Sequence, residues 1–210
     1  SYRAIAAPLD FYRVYMAHNH HMLAYGAMMV GRSEESIRVL DEMVAGIPLA
    51  WAKDNALFAA GFLAMPLEVR MRFGRWDEIL AAPDYPEDFP LARALRRYAR
   101  GVAYAAKGMP AEARVEQKAF GEAKAKIPAE AVFGNNTAMD VATVAERLLD
   151  GEILFREGRA EEGLAVLREA VRAEDRLRYS EPPDWIQPVR HALGAALLVA
   201  GKPQEAEAVY

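Results

Sequence analysis

Five glycines at matching places constrain the fold of this chain more than any other feature of its sequence. Each one ends an apolar helical pattern and precedes a short polar turn and a new amphipathic segment, as in MVGRSEESIRVL and REGRAEEGLAVL. The five are Gly31, Gly74, Gly108, Gly158 and Gly201. Glycine adopts the left-handed conformation at a helix C-terminus without a Cβ clash. Their separations of 43, 34, 50 and 43 residues therefore predict helix pairs that repeat along the chain.

The composition narrows the class of protein and its partners. The 210 residues are 53% hydrophobic and 27% charged, which allows a sizeable core, and strand-like alternation is rare. A formal net charge of −4 argues against nucleic acid as a partner, and no apolar run is long enough to predict a membrane-spanning helix. The absence of cysteine excludes disulfides, zinc–thiolate sites and thiol nucleophiles.

Small and apolar residues around the first and last of these glycines carry a resemblance to a known family. They are Leu23, Ala24, Ala27, Ser36, Leu40 and Pro48 in the first repeat, and Leu193, Gly194, Leu197, Ala206 and Tyr210 in the last. At these residues the chain resembles the tetratricopeptide repeat family. The segments HNHHMLAYGAMMVGRS and YSEPPDWIQPVRHALGAALLVAGKPQEAEAVY resemble large bacterial members of that family, a group that implies no particular activity. The resemblance implies an all-α fold, an α-solenoid of about five antiparallel helix pairs with irregular repeat lengths.

The second repeat departs from the family pattern. Pro66 falls inside its first helix, and its second helix is predicted to be short, ending near Ala82. We expect a single domain over residues 1–210, because no connection is long enough for a flexible linker. The chain lacks an initial Met and stops inside a helical pattern, so we interpret it as a fragment of a longer protein. In its loops, GNNT indicates a turn, and Asp184 with Gln187 is typical of a capping box.

The resemblance also implies a concave groove lined by the first helix of each pair. The residues expected to line it are His18, His21, Tyr25, Glu68, Arg72, Tyr98, Glu152, Arg156 and His191. We expect His18 and His21 to be partly accessible there, and His20 to be buried between helices. Glu68–Arg72 and Glu152–Arg156 are each four residues apart, so each pair meets on one helix face. They either grip a carboxylate or amine of a ligand or form ordinary ion pairs, worth ~0.3–0.5 kcal/mol when exposed.

Metal binding is a weaker hypothesis. His18 and His21 have workable spacing for two metal ligands, and His191 or Glu152 is a candidate third. Two imidazoles with no carboxylate nearby in sequence are a weak signal, so we assign no metal and expect no cofactor.

Motifs for catalysis are missing, and the sequence favours binding. G-x-S-x-G, the P-loop, G-x-G-x-x-G and H-E-x-x-H do not occur, so we do not expect an enzyme. An arginine stripe, Arg93, Arg96, Arg97 and Arg100, is typical of a solvated face paired with neighbouring acids. We expect a scaffold that binds a protein or peptide in its groove, with self-association as a further expectation and no membrane partner. One alternative is a central small-molecule or metal site that uses the groove histidines and glutamates. Another is a purely structural role, holding other parts of a longer polypeptide.

Overall fold

The computed structural model describes residues 10–210, and the surroundings of side chains from residue 14 onward. Over that range the protein is all-α, with eleven helices and one small hairpin. The helices are α1 (Asp10–Met29), α2 (Ser33–Ala45), α3 (Leu49–Asp54), α4 (Ala56–Arg72), α5 (Trp76–Ala81), α6 (Pro90–Ala106), α7 (Pro110–Lys124), α8 (Ala138–Arg156), α9 (Ala160–Glu174), α10 (Val189–Val199) and α11 (Pro203–Val209). None of the helices in this range is both long and apolar enough to cross a membrane.

The helices form antiparallel pairs with a glycine in each turn. The pairs are α1 with α2, α4 with α5, α6 with α7, α8 with α9, and α10 with α11. All five landmark glycines have φ values between +67° and +84°, the left-handed region that other residues rarely adopt. The predicted helix pairs and their turns are confirmed. The short second helix of the second pair is also confirmed, since α5 ends at Ala81; the extra helix α3 was not predicted.

The pairs stack into two rows. The first helices α1, α4, α6 and α8 pack side by side, and each second helix also packs against the first helix of the next pair. One hydrophobic cluster extends from Ala24 to Ala206 through every pair. The face of α1, α4, α6 and α8 that carries His21, Glu68, Tyr98 and Glu152 is called the central face below.

A hairpin precedes α8. Strand β1 (Val132–Phe133) pairs antiparallel with β2 (Asn136–Thr137), and Gly134 turns between them with φ +56°. The predicted turn is present, but strands of two residues leave no alternation that a sequence pattern would show. Phe133 is fully buried, and a Cβ placed on Gly61 would lie 2.4 Å from its ring. The hairpin therefore packs directly on the backbone of α4.

Close contact between α8 and α9 predicts a matched pair of glycine substitutions. A Cβ on Gly163 would lie 2.7 Å from the backbone nitrogen of Phe155, whereas a Cβ on Gly121 in α7 would meet nothing within 4 Å. Gly163→Ala should therefore lower the free energy of unfolding by about 1–3 kcal/mol, because rigid backbone has to move. Gly121→Ala should raise it by about 0.5–1 kcal/mol. Urea denaturation of both variants measures the difference, and equal effects would contradict this packing.

Candidate functional site

The connection between α9 and α10 is fastened to the hairpin turn. The Asp184 carboxylate accepts hydrogen bonds from the backbone amide of Asn135 at 3.0 Å and the side-chain amide of Asn136 at 2.6 Å. The Asn136 side-chain oxygen accepts one from the Arg178 backbone amide at 2.7 Å. Asp184 and Asn136 are both buried. The predicted Asp184–Gln187 capping box is wrong, because α10 begins only at Val189 and the Asp184 side chain is used by the hairpin.

The fastened connection lays residues 182–186, the covering segment, over the central face. The Trp185 ring lies 5.5 Å from the Tyr98 ring, and both Trp185 and Ile186 are buried. The backbone carbonyl of Pro183 faces His21, and the backbone amide of Ile186 approaches Glu68. The face predicted to be an open groove is therefore occupied here by the chain itself.

Three carboxyl groups surround Tyr98 beneath this segment. Burial raises the pKa of Tyr98 well above its ordinary value, and Glu68, Glu152 and Glu174 each raise it further. Burial also raises the pKa of Glu68 to about 8 and that of Glu174 to about 7. The pKa of Glu152 is raised by burial and partly lowered by Arg156. These four residues, called the central cluster, therefore hold protons more tightly than exposed groups do.

Several polar atoms at this interface are buried without a partner. Both carboxyl oxygens of Glu68, Nε2 of His21 and Nε1 of Trp185 complete no hydrogen bond within the described part of the chain. The nearby amide of Ile186 favours the ionised form of Glu68 without reaching bonding geometry. A buried polar group with no partner costs about 1–3 kcal/mol. The unpaired atoms lie on both the covering segment and the central face, so the two surfaces are poorly matched in polarity.

The three neighbouring histidines divide differently from the prediction. His21 was expected to be partly accessible but is only 3% exposed, because it packs edge-on to Phe62 beneath Pro183. His20 was expected to be buried but is half-buried, with Nδ1 2.6 Å from the carbonyl of Met16 in its own helix. His18 is exposed and close enough to His21 to help lower its pKa. Both predictions are wrong: the covering segment buries the side of α1 that carries His21, whereas His20 lies on a side of α1 that stays partly open.

Of the two predicted glutamate–arginine pairs, one forms. Arg156 Nε lies 3.9 Å from Glu152 Oε2, which is a long ion pair. The predicted Glu68–Arg72 pair is wrong. Glu68 is buried and has no partner among the residues that the structure describes, while Arg72 is exposed at the end of α4 with its guanidinium 5.9 Å from the Phe73 ring centre. The two side chains lie in different surroundings, Glu68 in the interior and Arg72 in solvent, so they do not form an ion pair.

The remaining predicted groove residues lie in different surroundings. Tyr98 is 2% exposed, and Tyr25 is half-buried against the core. His191 lies 6.2 Å from the Tyr210 ring, and Arg72 is near enough to lower its pKa. Within the described chain no three His, Asp or Glu side chains gather closely enough to hold a metal. His18, His21 and His191 therefore do not form the metal site considered from the sequence.

Sequence reasoning missed Glu174, Asp184 and Trp185. Both oxygens of Glu174 accept from the Val189 backbone amide, at 3.2 and 3.1 Å, so this residue joins α9 to the start of α10. The signal for Trp185 was available: the loop EPPDWIQP places Trp and Ile side by side among prolines. Apolar side chains of that size in a loop indicate a loop that is packed against the protein.

No protein-family model matches this sequence, and comparison with curated proteins and with solved structures found no match. The chemistry of the site is therefore the guide to function. The carboxyl groups of the central cluster lie beside the Tyr98 and Trp185 rings. Such a site is suited to bind a group that donates hydrogen bonds, most strongly a cationic group.

The buried Glu68 and His21 predict that the free energy of unfolding falls at both high and low pH. Folded Glu68 keeps its proton up to about pH 8, whereas the unfolded side chain loses it near 4.5. Stability therefore falls as pH rises from 4.5 to 8, by at most about 5 kcal/mol. Folded His21 stays neutral down to about pH 3, whereas the unfolded side chain binds a proton near 6.5. The His21 contribution therefore falls as pH drops below 6.5. Between pH 4.5 and 6.5 the two contributions oppose each other, so the maximum of stability lies in that range.

Glu68→Gln tests this assignment, because glutamine stays neutral at every pH. Urea denaturation between pH 4 and 9 should show that the variant loses about half of the alkaline decline, since Glu174 and Glu152 also have raised pKa values. Glu112→Gln, at an exposed position of α7, is the matched control and should follow the wild type. An unchanged alkaline decline in Glu68→Gln would exclude Glu68 as its source.

Loss of the hairpin fastening should free the covering segment. With Trp51 and Trp76 replaced by phenylalanine, Trp185 is the single tryptophan and reports on its own burial. Asn136→Ala should shift its emission to longer wavelength and lower the free energy of unfolding by about 2–4 kcal/mol, since several buried hydrogen bonds are lost. Gln204→Ala, which removes an exposed amide on α11, should change neither. A buried, unshifted Trp185 in Asn136→Ala would contradict the fastening.

Proposed function

We propose that this chain is a tetratricopeptide-like α-solenoid that binds a segment of a protein or peptide on its central face, and that the bound segment inserts a basic side chain at Glu68. Paired helices with left-handed glycine turns, stacked first helix against first helix, support the solenoid assignment. The proposed activity is binding without catalysis.

The observation that carries the proposal is the state of Glu68. Glu68 is 2% exposed, and neither of its carboxyl oxygens has a hydrogen-bond donor among the described residues, although it lies near Tyr98. A lysine or arginine side chain supplies donors to such a carboxylate, and its positive charge returns the pKa of Glu68 toward ordinary values.

The covering segment supports the same mode of binding. It is a stretch of chain outside the helices that anchors an aromatic ring on Tyr98 and brings a backbone amide toward Glu68, as an external peptide would. A ligand replaces Trp185 and Ile186 on the face while the fastening at Asp184 retains the loop. Displacement also returns the unpaired Nε1 of Trp185 to water, which offsets part of the burial that is lost.

Enclosure of the central cluster favours a second candidate, a small amine held beneath the covering segment without displacing it. Such a ligand would pair with Glu68 and stack beside Tyr98. The metal form of this alternative is not favoured, since the described residues provide no three-ligand group.

A displayed random peptide library tests the proposal. Peptides selected by the wild type should be enriched in lysine and arginine. Glu68→Gln should bind them at least tenfold more weakly, while Glu112→Gln binds them as the wild type does. Selection with no basic enrichment, or equal binding by Glu68→Gln, would rule out recognition at Glu68. Saturable binding of 1,4-diaminobutane by the wild type, lost in Glu68→Gln and without peptide enrichment, would establish the small-amine candidate instead.

A further inference from the structure

A separate groove lies on the other side of α4. It has a volume of about 580 Å³ and is bounded by α2, α4, α5 and the chain that follows α5. Its floor consists of Leu63, Pro66 and Leu67, all buried. The Tyr85 ring stands at one wall, held by a hydrogen bond of 2.8 Å from its hydroxyl to the Leu63 carbonyl. The surface that remains open is mainly apolar.

The groove exists because one helix of the second row is short. Helix α5 has 6 residues, whereas α7 and α9, the second helices of the next two pairs, have 15 each. At a rise of 1.5 Å per residue, α5 is about 13 Å shorter than its counterparts. The space beside α4 that a full-length helix would fill is therefore a groove, whose accessible surface comes from its walls, mainly Val44, Ala82 and Tyr85.

Charged residues at one end of the groove favour a bound segment of opposite charge. The Arg70 guanidinium donates to both carboxylate oxygens of Asp41, at 2.9 and 2.7 Å, and to Glu78 at 3.1 Å. Arg75 and Glu34 extend this network. Three carboxylates share two guanidinium groups, so the network carries a net negative charge, and the side chains of Asp41 and Glu78 are 47% and 38% exposed.

We propose that this groove docks an amphipathic helix of a partner protein. Its apolar face packs between Val44, Ala82 and Tyr85, and a lysine or arginine is directed to Asp41 and Glu78. The partner helix completes the row of second helices where α5 stops. Side chains at i, i+3, i+4 and i+7 supply the apolar face, and the acidic network selects a basic residue at one end.

Fluorescence anisotropy with defined probes tests this surface. The first probe is a labelled 14-residue helical peptide with leucines at i, i+3, i+4 and i+7 and lysines at one end. The second is a scramble of the same composition, and the third has glutamates in place of the lysines. The wild type should bind the first peptide at least tenfold more tightly than the other two.

Matched variants locate the binding. Ala45→Arg/Ala81→Arg places two long side chains in the groove at exposed positions, so the fold is retained. It should weaken binding of the lysine peptide at least tenfold. Ala111→Arg/Ala165→Arg makes the same charge change at exposed positions of α7 and α9 and should bind as the wild type does. Asp41→Asn should weaken only the lysine peptide, by about threefold.

Three results would overturn the proposal. They are equal affinity for the ordered and scrambled peptides, equal affinity of the groove variant and its control, and a wild-type dimer in sedimentation that Ala45→Arg/Ala81→Arg abolishes. The last result would assign the groove to a second copy of the chain. Circular dichroism of each variant verifies that the helices are intact.

Discussion

The Asp184 carboxylate, held by the hairpin turn, is the constraint on which the arrangement of the central face depends. A buried carboxylate is tolerated only when donors surround it, and here the backbone of Asn135 and the side chain of Asn136 supply them. The turn must approach so closely that a Cβ on Gly134 would lie 1.8 Å from Asp184 Oδ1. Only glycine fits at that position, so a residue before α8 determines where the loop after α9 lies.

A second polar network fixes the helix that carries Tyr98. Arg97 and Arg100 on α6 both bond the buried carboxylate of Glu116 on α7, at 3.1 and 2.7 Å. Arg96 donates to the carbonyl of Ala82. The expected pairing of this arginine stripe with neighbouring acids is confirmed, but its solvated character is wrong for Arg96, which is 8% exposed. The stripe joins α6 to the chain after α5 and to α7, and so fixes the position of Tyr98.

The parts of the fold that the sequence predicted correctly are local. Each left-handed glycine ends one helix and starts a turn within a few residues, so helix pairs follow from patterns such as MVGRSEES. The short α5 also follows from local signals, since Pro83 comes directly after Ala82. The family resemblance added the expectation that first-helix residues share a face, and Glu68 and Glu152 both lie near enough to Tyr98 to raise its pKa.

The predictions that were wrong concern residues whose surroundings depend on contacts between segments distant in sequence. Nothing in the sequence around His21 shows that Pro183 covers it, and Glu68 with Arg72 looks like an ordinary helical ion pair until burial of Glu68 separates them. Burial of a polar residue depends on which loop crosses it, and that loop is held by side chains more than forty residues away. The choice between an open groove and a covered face was therefore beyond patterns of local spacing.

The two proposed surfaces share one helix, and this links them physically. Leu63, Leu67 and Arg70 follow i, i+4, i+7 spacing on one side of α4, whereas Glu68, at about 100° per residue, lies on the side that the covering segment contacts. A partner in the groove that changes neither the position nor the mobility of α4 leaves the packing around Glu68 unchanged. A partner that shifts α4 changes both surfaces, and by thermodynamic reciprocity a ligand at Glu68 then changes affinity in the groove by the same factor. Whether α4 moves on binding therefore determines whether the two surfaces bind independently or are thermodynamically coupled.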